Sequence, residues 1–386
     1  MNKSKRLSII GGGIGGLTLA IALRKKGYPV TVYENAPQLK PLGAGLGLAA
    51  NAIKAFQQIG IRDEVLKAGR VLKKFVIKDQ QGQALSTANA ERMSAKFGAP
   101  NNFTIHRADL HQVLLSQLPE GVVQQGKGCS DFEQTANGVR LHFTDGTSVE
   151  TDYVVACDGI HSIFRKKLLP GSAPRYAGYT CWRAVIDKIP PSLNMEETSE
   201  TWGPGSRFGI VPLSRQRIYW FATINAAAND QEKKAFGVAE LSRHFSGFHA
   251  DVKNVLAQTE DAQLIWNDII DLKPLKQFAF GNILLMGDAA HATTPNLGQG
   301  ACMAIEDAVI LANCLAENAE PIVAFQRFET RRLRRTRHII QDSRRLGRIA
   351  QWENPFLIKL RNAAVRLTPE RVTENQFKFI SEVSFQ

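Results

Sequence analysis

Four short apolar runs punctuate the chain, and glycine or an acid follows each of them within two residues. They are Leu7–Ile10, Val30–Tyr33, Asp152–Ala156 and Ile283–Met286. Runs this short and this apolar predict strands covered on both faces, as in a parallel sheet. Between the first two, residues 14 to about 26 form an apolar helix ended by Gly27, and Tyr28-Pro29 turns the chain back. The pattern changes in the middle. Tyr179–Ile186, Arg207–Leu213 and Arg217–Ile224 alternate or are rich in aromatics, as antiparallel strands are, with Ser214 to Arg217 as a hairpin turn. Three short strands are expected at Gly128–Thr135, Gly138–Thr144 and Ser148–Glu150, where Asn137-Gly138 and Asp145-Gly146 signal tight turns. Further helices are expected at Asn51–Gln58, Ala108–Leu118, within Ala239–Gln258, from about Ala301, and through the arginine-rich stretch to about Trp352. The helix from Ala301 reads as nearly all apolar. Val71 to about Pro100 reads as polar and strand-like.

The fold class that follows is α/β. A Rossmann-like parallel sheet carries an inserted β-meander, and a second, α+β domain holds an antiparallel sheet, with helices at the C-terminus. The expected division gives residues 1–70, 101–175 and 273–320 to the first domain. It gives an excursion at 71–100 and the stretch 176–272 to the second, and leaves 321–386 as C-terminal helices. A length of 386 residues leaves room for two to three domains of ~150 residues.

Composition excludes more than it selects. No run of 18 apolar residues is present, so no integral membrane segment of the usual length is expected. Lys3, Lys5 and Arg6 lead straight into a strand and a glycine loop, unlike a signal peptide. Cys129, Cys157, Cys181, Cys302 and Cys314 are scattered and odd in number, which suggests reduced thiols in a cytoplasmic protein and no metal site. The net charge is +12, and nine arginines between Arg327 and Arg348 against Glu329 and Asp342 supply +7 of it. Apolar residues recur at helical spacing through that stripe and no nucleic-acid motif accompanies it, so no nucleic-acid partner is expected.

Three clusters carry the chemistry. Gly11-x-Gly13-x-x-Gly16, with Ile14 and Gly15 in the same turn, sits between a strand and a helix, and Glu34 follows 18 residues after Gly16. That context makes it a dinucleotide fingerprint: tight turn, close approach to a pyrophosphate, close helix packing, and an acid for a ribose. Gly43 to Gly47, which includes Gly45, is a second glycine-rich turn, either backbone lying on something flat or a simple loop. Arg107 opens a helix where a cation could reach a pyrophosphate. Cys157-Asp158-Gly159 ends another strand, with Ser162 and Arg165 in helical spacing; nucleotide contacts and plain helix capping are both open. Gly287-Asp288 ends the last strand, and Pro295, Gly298, Gly300 and Ala301 lead into a helix whose free N–H groups favour a negative charge. Trp182, Trp202, Phe208, Tyr219, Trp220 and Phe221 crowd the middle sheet. Arg183, Phe208, Pro212 and Trp220 are the expected substrate pocket, with Arg183 set to fix an anionic or phenolic oxygen.

In this order and spacing the clusters resemble the FAD-dependent aromatic hydroxylases of the para-hydroxybenzoate hydroxylase type. They are most similar to the salicylate and urate hydroxylase and zeaxanthin epoxidase-like branch. The resemblance covers nearly the whole chain. It implies that Gly11, Gly13 and Gly16 hold the FAD pyrophosphate, that Glu34 holds the adenosine ribose and that Arg107 helps bind FAD. It further implies that Asp158 and Gly159 serve FAD and NAD(P)H, that Asp288 binds the ribityl or pyrophosphate portion, and that Pro295 to Gly300 lie beside the isoalloxazine. The chain departs from many relatives at Lys40, where they carry arginine, and at Ala50, where they carry proline. It lacks the Trp-x-Trp-x-Ile-Pro signature of flavin halogenases.

The function implied is a single-component monooxygenase. NADH or NADPH reduces FAD, O2 adds to give a C4a-hydroperoxide, and one oxygen passes to a small aromatic ring. The cofactor carries the hard chemistry, so no metal is required. Arg183, Pro295 and Gly298 are the residues nearest that chemistry, and His291 is either a proton relay or structural. The protein would work as a monomer or homodimer. Two other readings remain: an FAD-dependent epoxidase or oxidase on an isoprenoid or heterocycle, and a non-catalytic FAD-binding sensor.

Overall fold

The computed structural model describes residues 5–38, 44–318, 320–369, 372 and 378–386. The four apolar runs lie in one six-stranded sheet, in the order 279–280, 283–285, 153–156, 7–10, 30–33, 123–124. The pairs are parallel except at the Ala279–Phe280 edge, which runs antiparallel to Ile283–Leu285. Every residue of Leu7–Ile10 is buried, because neighbouring positions face different layers. Ser8 bonds Thr151 of the meander at 3.0 Å, while Ile9 lies against Gly16 of the following helix. The helices Ile14–Lys25 and Gly300–Glu317 pack on each other in this layer. The three-stranded meander Cys129–Thr135, Gly138–Phe143, Ser148–Thr151 contributes Phe132, Leu141 and Phe143 to the same core.

The second sheet has seven strands, in the order 265–271, 175–186, 217–225, 206–213, 197–203, 74–79, 84–89. It is antiparallel except for the parallel pair of Glu197–Gly203 with Lys74–Asp79. Arg215 and Gln216 both have positive φ, which makes the Ser214–Arg217 hairpin the two-residue turn that matches strand twist. A small sheet of Gly45–Leu48, Phe103–His106 and Arg70–Val71 joins the two large ones, and Thr104 Oγ1 donates to Pro212 O at 2.6 Å.

Several expectations are revised. Val71 to Pro100 is not all strand. Ala90–Phe97 is a helix, because Asn89 accepts from Arg92 N as its N-cap and Gly98 ends it in the left-handed region. The strands Glu197–Gly203 and Ile265–Asp271 were not expected; both are polar runs whose pairing comes from neighbours distant in sequence. Phe208, Pro212 and Trp220 do not line a cleft. Phe208 and Trp220 stack at 5.1 Å, fully buried beneath the helices Val238–His244 and Ala250–Leu256. Pro212 shares their parity along Ser206–Leu213. Strand side chains alternate with period two, so the right strands with the wrong parity put these residues behind the sheet.

Trp220→Ala or Phe208→Ala should therefore lower stability by about 3–5 kcal/mol, the usual cost of emptying a large aromatic site. Urea denaturation measures it, and a loss of ligand affinity without a loss of stability would contradict the placement.

Candidate functional site

Three strand ends of the parallel sheet and one loop tied to the second sheet carry the candidate residues. At the first strand end, Gly11 has φ +106°, and a Cβ there would overlap the carbonyl oxygen of Cys157 on the adjacent strand. A Cβ on Gly16 would strike Gly11 O, and one on Gly15 would come within 3.1 Å of Ala304 Cβ. Gly13 differs: a Cβ there would meet nothing within 4 Å, and no side chain caps the helix it precedes. Ile14 is buried at the start of that helix. The Glu34 carboxylate holds the turn by accepting from Gly12 N at 2.6 Å and Ala36 N at 2.7 Å. His111, not singled out from sequence, reaches Gly12 O at 2.7 Å from the helix Arg107–Ser116. Arg107 is exposed at the start of that helix, and its charge acts on Asp288.

At the second strand end the bland expectation is realised. Asp158 Oδ2 accepts from Ile163 N at 2.9 Å and Ser162 accepts from Arg165 N at 3.0 Å, so both cap a helix start. Arg165 is fully buried and spends its guanidinium on the carbonyls of Ile160, Ser172 and Ala289. Asp158 Oδ1, by contrast, is buried with no partner, and burial pushes the carboxyl pKa up against the pull of Ser162 and Arg165. Gly159 beside it again faces open space.

At the third, Gly287 has φ +62° and leaves Asp288 exposed in the cleft. Surrounding protein raises the Asp288 pKa, opposed by His291 and Arg107. The helix Gly300–Glu317 is not all apolar. Glu306 and Asp307 lie in its middle, fully buried. Arg332 answers both, with Nη1 2.7 Å from Glu306 Oε2 and Nε 2.6 Å from Asp307 Oδ1. Arg335 takes Glu306 at 2.6 Å, and Asn51 Nδ2 bridges Glu306 at 2.5 Å to Gln299 at 2.9 Å. Asp307 Oδ2 accepts from Gly287 N at 3.0 Å and lies 2.6 Å from His291 Nε2. His291 is buried in this network. The arginine stripe is thus partly an internal clamp, and Arg344 does the same for Asp271 at 2.8 Å.

The loop Pro295–Leu297 is tied to the sheet by Asn296. Its Oδ1 accepts from Arg207 at 2.8 Å and Tyr179 at 3.1 Å, and its Nδ2 donates to Thr294 Oγ1 and Ser343 O, both at 2.8 Å. Gly298 ends this turn facing open space, a Cβ on Gly300 would stand 4.0 Å from Asp288 Oδ1, and Ala301 is half-buried beyond it. No side chain caps the helix that starts here. The sheet face below the loop carries Tyr179, Cys181, Arg183 and Val185 from one strand, and Tyr219 and Phe221 from its neighbour. Gly45 belongs to this face: a Cβ there would stand 2.5 Å from the Tyr219 ring, so the flat body under that glycine is a side chain of the protein itself.

The structure thus leaves open space at Gly13, Gly159 and Gly298, exposes Asp288 beside Gly300, and places Arg183 on the sheet face that carries the Pro295–Leu297 loop. It leaves Phe208, Pro212 and Trp220 behind the sheet. Sequence reasoning missed Asn51, Asn296, Arg207, Glu306 and Arg332. Glu306-Asp307 inside an apolar helix was the available signal, since buried acids require partners. Lys40 and Gly43 lie outside the described residues. Ala50 N donates to Asn101 Oδ1 at 3.4 Å, a bond that proline would lack.

The model of the FAD binding domain family matches residues 5–343. The chain is 38% identical over 359 residues to the aurachin C monooxygenase/isomerase of Stigmatella aurantiaca, covering 93% of each protein. It is 34% identical to the 3-amino-4-hydroxybenzoate 2-monooxygenase of Streptomyces cremeus, over 90% of this chain and 88% of that one. A crystal structure of Klebsiella pneumoniae HpxO complexed with FAD and uric acid superposes with a TM-score of 0.90 at 28% identity, covering 98% of this chain and 97% of that one.

The buried acids set a pH dependence. Burial opposes ionisation of Asp307, but His291 and Arg332 outweigh it and hold the carboxyl at about 2, below the ordinary 3.8. A depressed carboxyl stabilises the fold above its unfolded pKa, and that share is lost as pH falls through the folded value. Asp307→Asn should cost about 3–5 kcal/mol at neutral pH, as breaking one side of a buried pair does. It should also flatten the acid limb of the stability curve between pH ~4 and ~2. Denaturant titrations across that range measure both effects, and an unchanged acid limb would show that Asp307 does not carry it.

Proposed function

We propose that this chain, which belongs to the FAD binding domain family and is an FAD-dependent monooxygenase, uses NAD(P)H and O2 to hydroxylate a flat aromatic or heteroaromatic ring. The observation that carries the reading is a set of unsatisfied groups at the strand ends. No side chain caps the helix behind Gly13 or the helix at Gly300, Asp158 Oδ1 is buried without a partner among the described residues, and the loop before Gly300 is tied to an aromatic sheet face.

These residues fit the cofactor. The room over Gly13 and the free N–H groups of its helix suit a pyrophosphate. The unpartnered, buried Asp158 Oδ1 and the cleft-facing Asp288 are acceptors without donors, and a hydroxylated chain supplies such donors. Glu34 retains acceptor capacity for a ribose beside the turn it holds, and Arg107 offers a cation at the same end. The loop from Pro295 to Ala301 lies where a flat ring system would rest.

When bound, FAD supplies the redox chemistry: it takes hydride from NAD(P)H and activates O2, so that one oxygen atom enters the ring and the other leaves as water. The protein's own residues orient and protect. The N-terminus of the Gly300–Glu317 helix favours a negative charge in front of it by about 0.3–1 kcal/mol, up to ~2 when partly buried. Asn296 sets the distance between that loop and the sheet by joining Arg207 and Tyr179 to Thr294 and Ser343. Tyr219, Phe221, Val185 and Val211 give the ring an apolar floor. The relatives' names support this substrate class, since one acts on an aminohydroxybenzoate and another on aurachin C.

Anaerobic reduction of the bound flavin by NADH and by NADPH, followed by stopped-flow absorbance with a panel of phenols, salicylates, purines and quinolones, tests the reading. One ring class should speed reduction by at least tenfold and appear as a hydroxylated product under air. No reduction by either nucleotide would sink the hydroxylase reading, and equal rates with no ring added would favour an oxidase. Gly13→Val should weaken FAD binding at least tenfold while leaving the melting temperature of the apoprotein within a few degrees, because the added carbons enter open space. Fluorescence titration with FAD measures the first effect and thermal unfolding of the apoprotein the second.

A further inference from the structure

We propose that Arg183 is the residue that selects the substrate, and that it selects a flat, apolar ring system bearing an anionic oxygen, whether carboxylate, phenolate or enolate. The inference rests on the monooxygenase reading and deepens it by naming the charge of the substrate.

The argument begins with parity. Tyr179, Cys181, Arg183 and Val185 alternate along one strand onto the face that carries the Pro295–Leu297 loop, and Trp182 and Ala184 point into the core behind. Arg183 is paired across the sheet with Phe221. A Cβ on Gly209 of the next strand would overlap the Phe221 ring, so that ring lies low over the sheet and leaves space above. Arg183 is four residues from Tyr179, about 13 Å along the strand at the usual rise. Tyr179 is the residue that meets Asn296 of the loop. A flat molecule of one or two rings reaches from the loop to the guanidinium over that distance.

The second step is charge. Among the described residues no carboxylate lies within ion-pair distance of Arg183; it donates to Asn267 Oδ1 at 3.2 Å and to the Tyr219 hydroxyl, both of them neutral groups. The two acids that face it from its own strand and the neighbouring one are Cys181 and Tyr219, with Tyr179 further along. Burial pushes the Cys181 thiol and the Tyr219 phenol up, so both stay neutral near pH 7 and leave the guanidinium charge uncompensated. Other shielded arginines are either answered by acids, as Arg175 and Arg344 are by Asp271 and Arg217 by Asp109, or spent on carbonyl oxygens, as Arg165 is on Ile160, Ser172 and Ala289. A cation held on an apolar cleft wall without a counter-ion is costly unless a ligand supplies one. Guanidinium also prefers flat, two-oxygen acceptors, which matches the three anions named.

The test uses the FAD-loaded enzyme and an isosteric pair, 2-naphthoate and 2-naphthamide, with binding read from the perturbed flavin absorbance. The wild type should bind the anion about 10–100-fold more tightly, the range expected of a charge-assisted pair in a partly buried site. Arg183→Gln should bring the ratio to about one, and Arg183→Lys, which keeps the charge and loses the fork, should retain part of it. Equal affinities in the wild type, binding of neither compound, or a preference that survives in Arg183→Gln would overturn the proposal. Should Arg183→Gln fail to hold FAD, the wild-type ratio and Arg183→Lys decide between these outcomes. A separate assay of NAD(P)H consumption distinguishes the two readings. An anion preference with no ring-stimulated turnover would remove the monooxygenase reading and leave Arg183 as an anion-binding residue. Turnover of neutral rings at the same efficiency as anionic ones would do the reverse.

Discussion

Arg332 and the two acids it answers hold the site together. Glu306 and Asp307 are consecutive residues in the middle of a mostly apolar helix, out of reach of water, and an unpaired charge there is not tolerated. The guanidinium satisfies both acids, and what remains of their hydrogen-bonding capacity is directed outward. Asp307 takes the backbone of Gly287 and the ring of His291, which fixes the exit of the last strand and so the aim of Asp288. Glu306 takes Asn51, which in turn holds Gln299 at the start of the helix. One ion cluster therefore registers the strand end, the helix start and the two helices packed behind them. Hydrophobic contact alone would let such elements slide, whereas the geometry of charged hydrogen bonds does not.

A second, neutral clamp completes the arrangement. Asn296 uses both ends of its amide, with two donors arriving from the sheet at its oxygen and two acceptors receiving from its nitrogen. The loop it belongs to is thus suspended between the antiparallel sheet and the long helix Pro321–Ala350. The ion cluster sets the loop's far end, Asn296 sets its height above the sheet, and the space between is what a flat cofactor and a flat substrate would share. Arg183 stands on the same strand as Tyr179, four residues further along.

Much of the fold was legible from the chain. The apolar runs, the glycine turn between strand and helix, and the turn dipeptides are local signals, and local signals survive without tertiary information. The parallel sheet, the meander and the long antiparallel strands follow from them. What escaped was of two kinds. Ala90–Phe97 escaped because its cap at Asn89 was read as part of a polar strand. Glu197–Gly203 and Ile265–Asp271 escaped because a polar edge becomes a strand only when a partner far away in sequence pairs with it.

The residues that bear chemistry divide along the same line. Sequence alone determined the strand-end positions of Gly11, Gly13, Glu34, Asp158 and Asp288: the first three stand at the spacing of a dinucleotide fingerprint, and the two aspartates follow the ends of apolar runs. It also determined that an arginine-rich helix would present an apolar face. Only the tertiary structure decided which sheet face meets the cleft. A strand carries no label for inside and outside, so Phe208 and Trp220 looked as suitable as Tyr219 and Phe221 until the helices Val238–His244 and Ala250–Leu256 covered one side. Only the tertiary structure, likewise, decided which arginines are spent. Arg332, Arg335 and Arg344 are neutralised by acids that lie 25 to 73 residues away in the chain, and Arg183 is not. Charge pairing at that separation depends on how the layers meet, which no local pattern encodes.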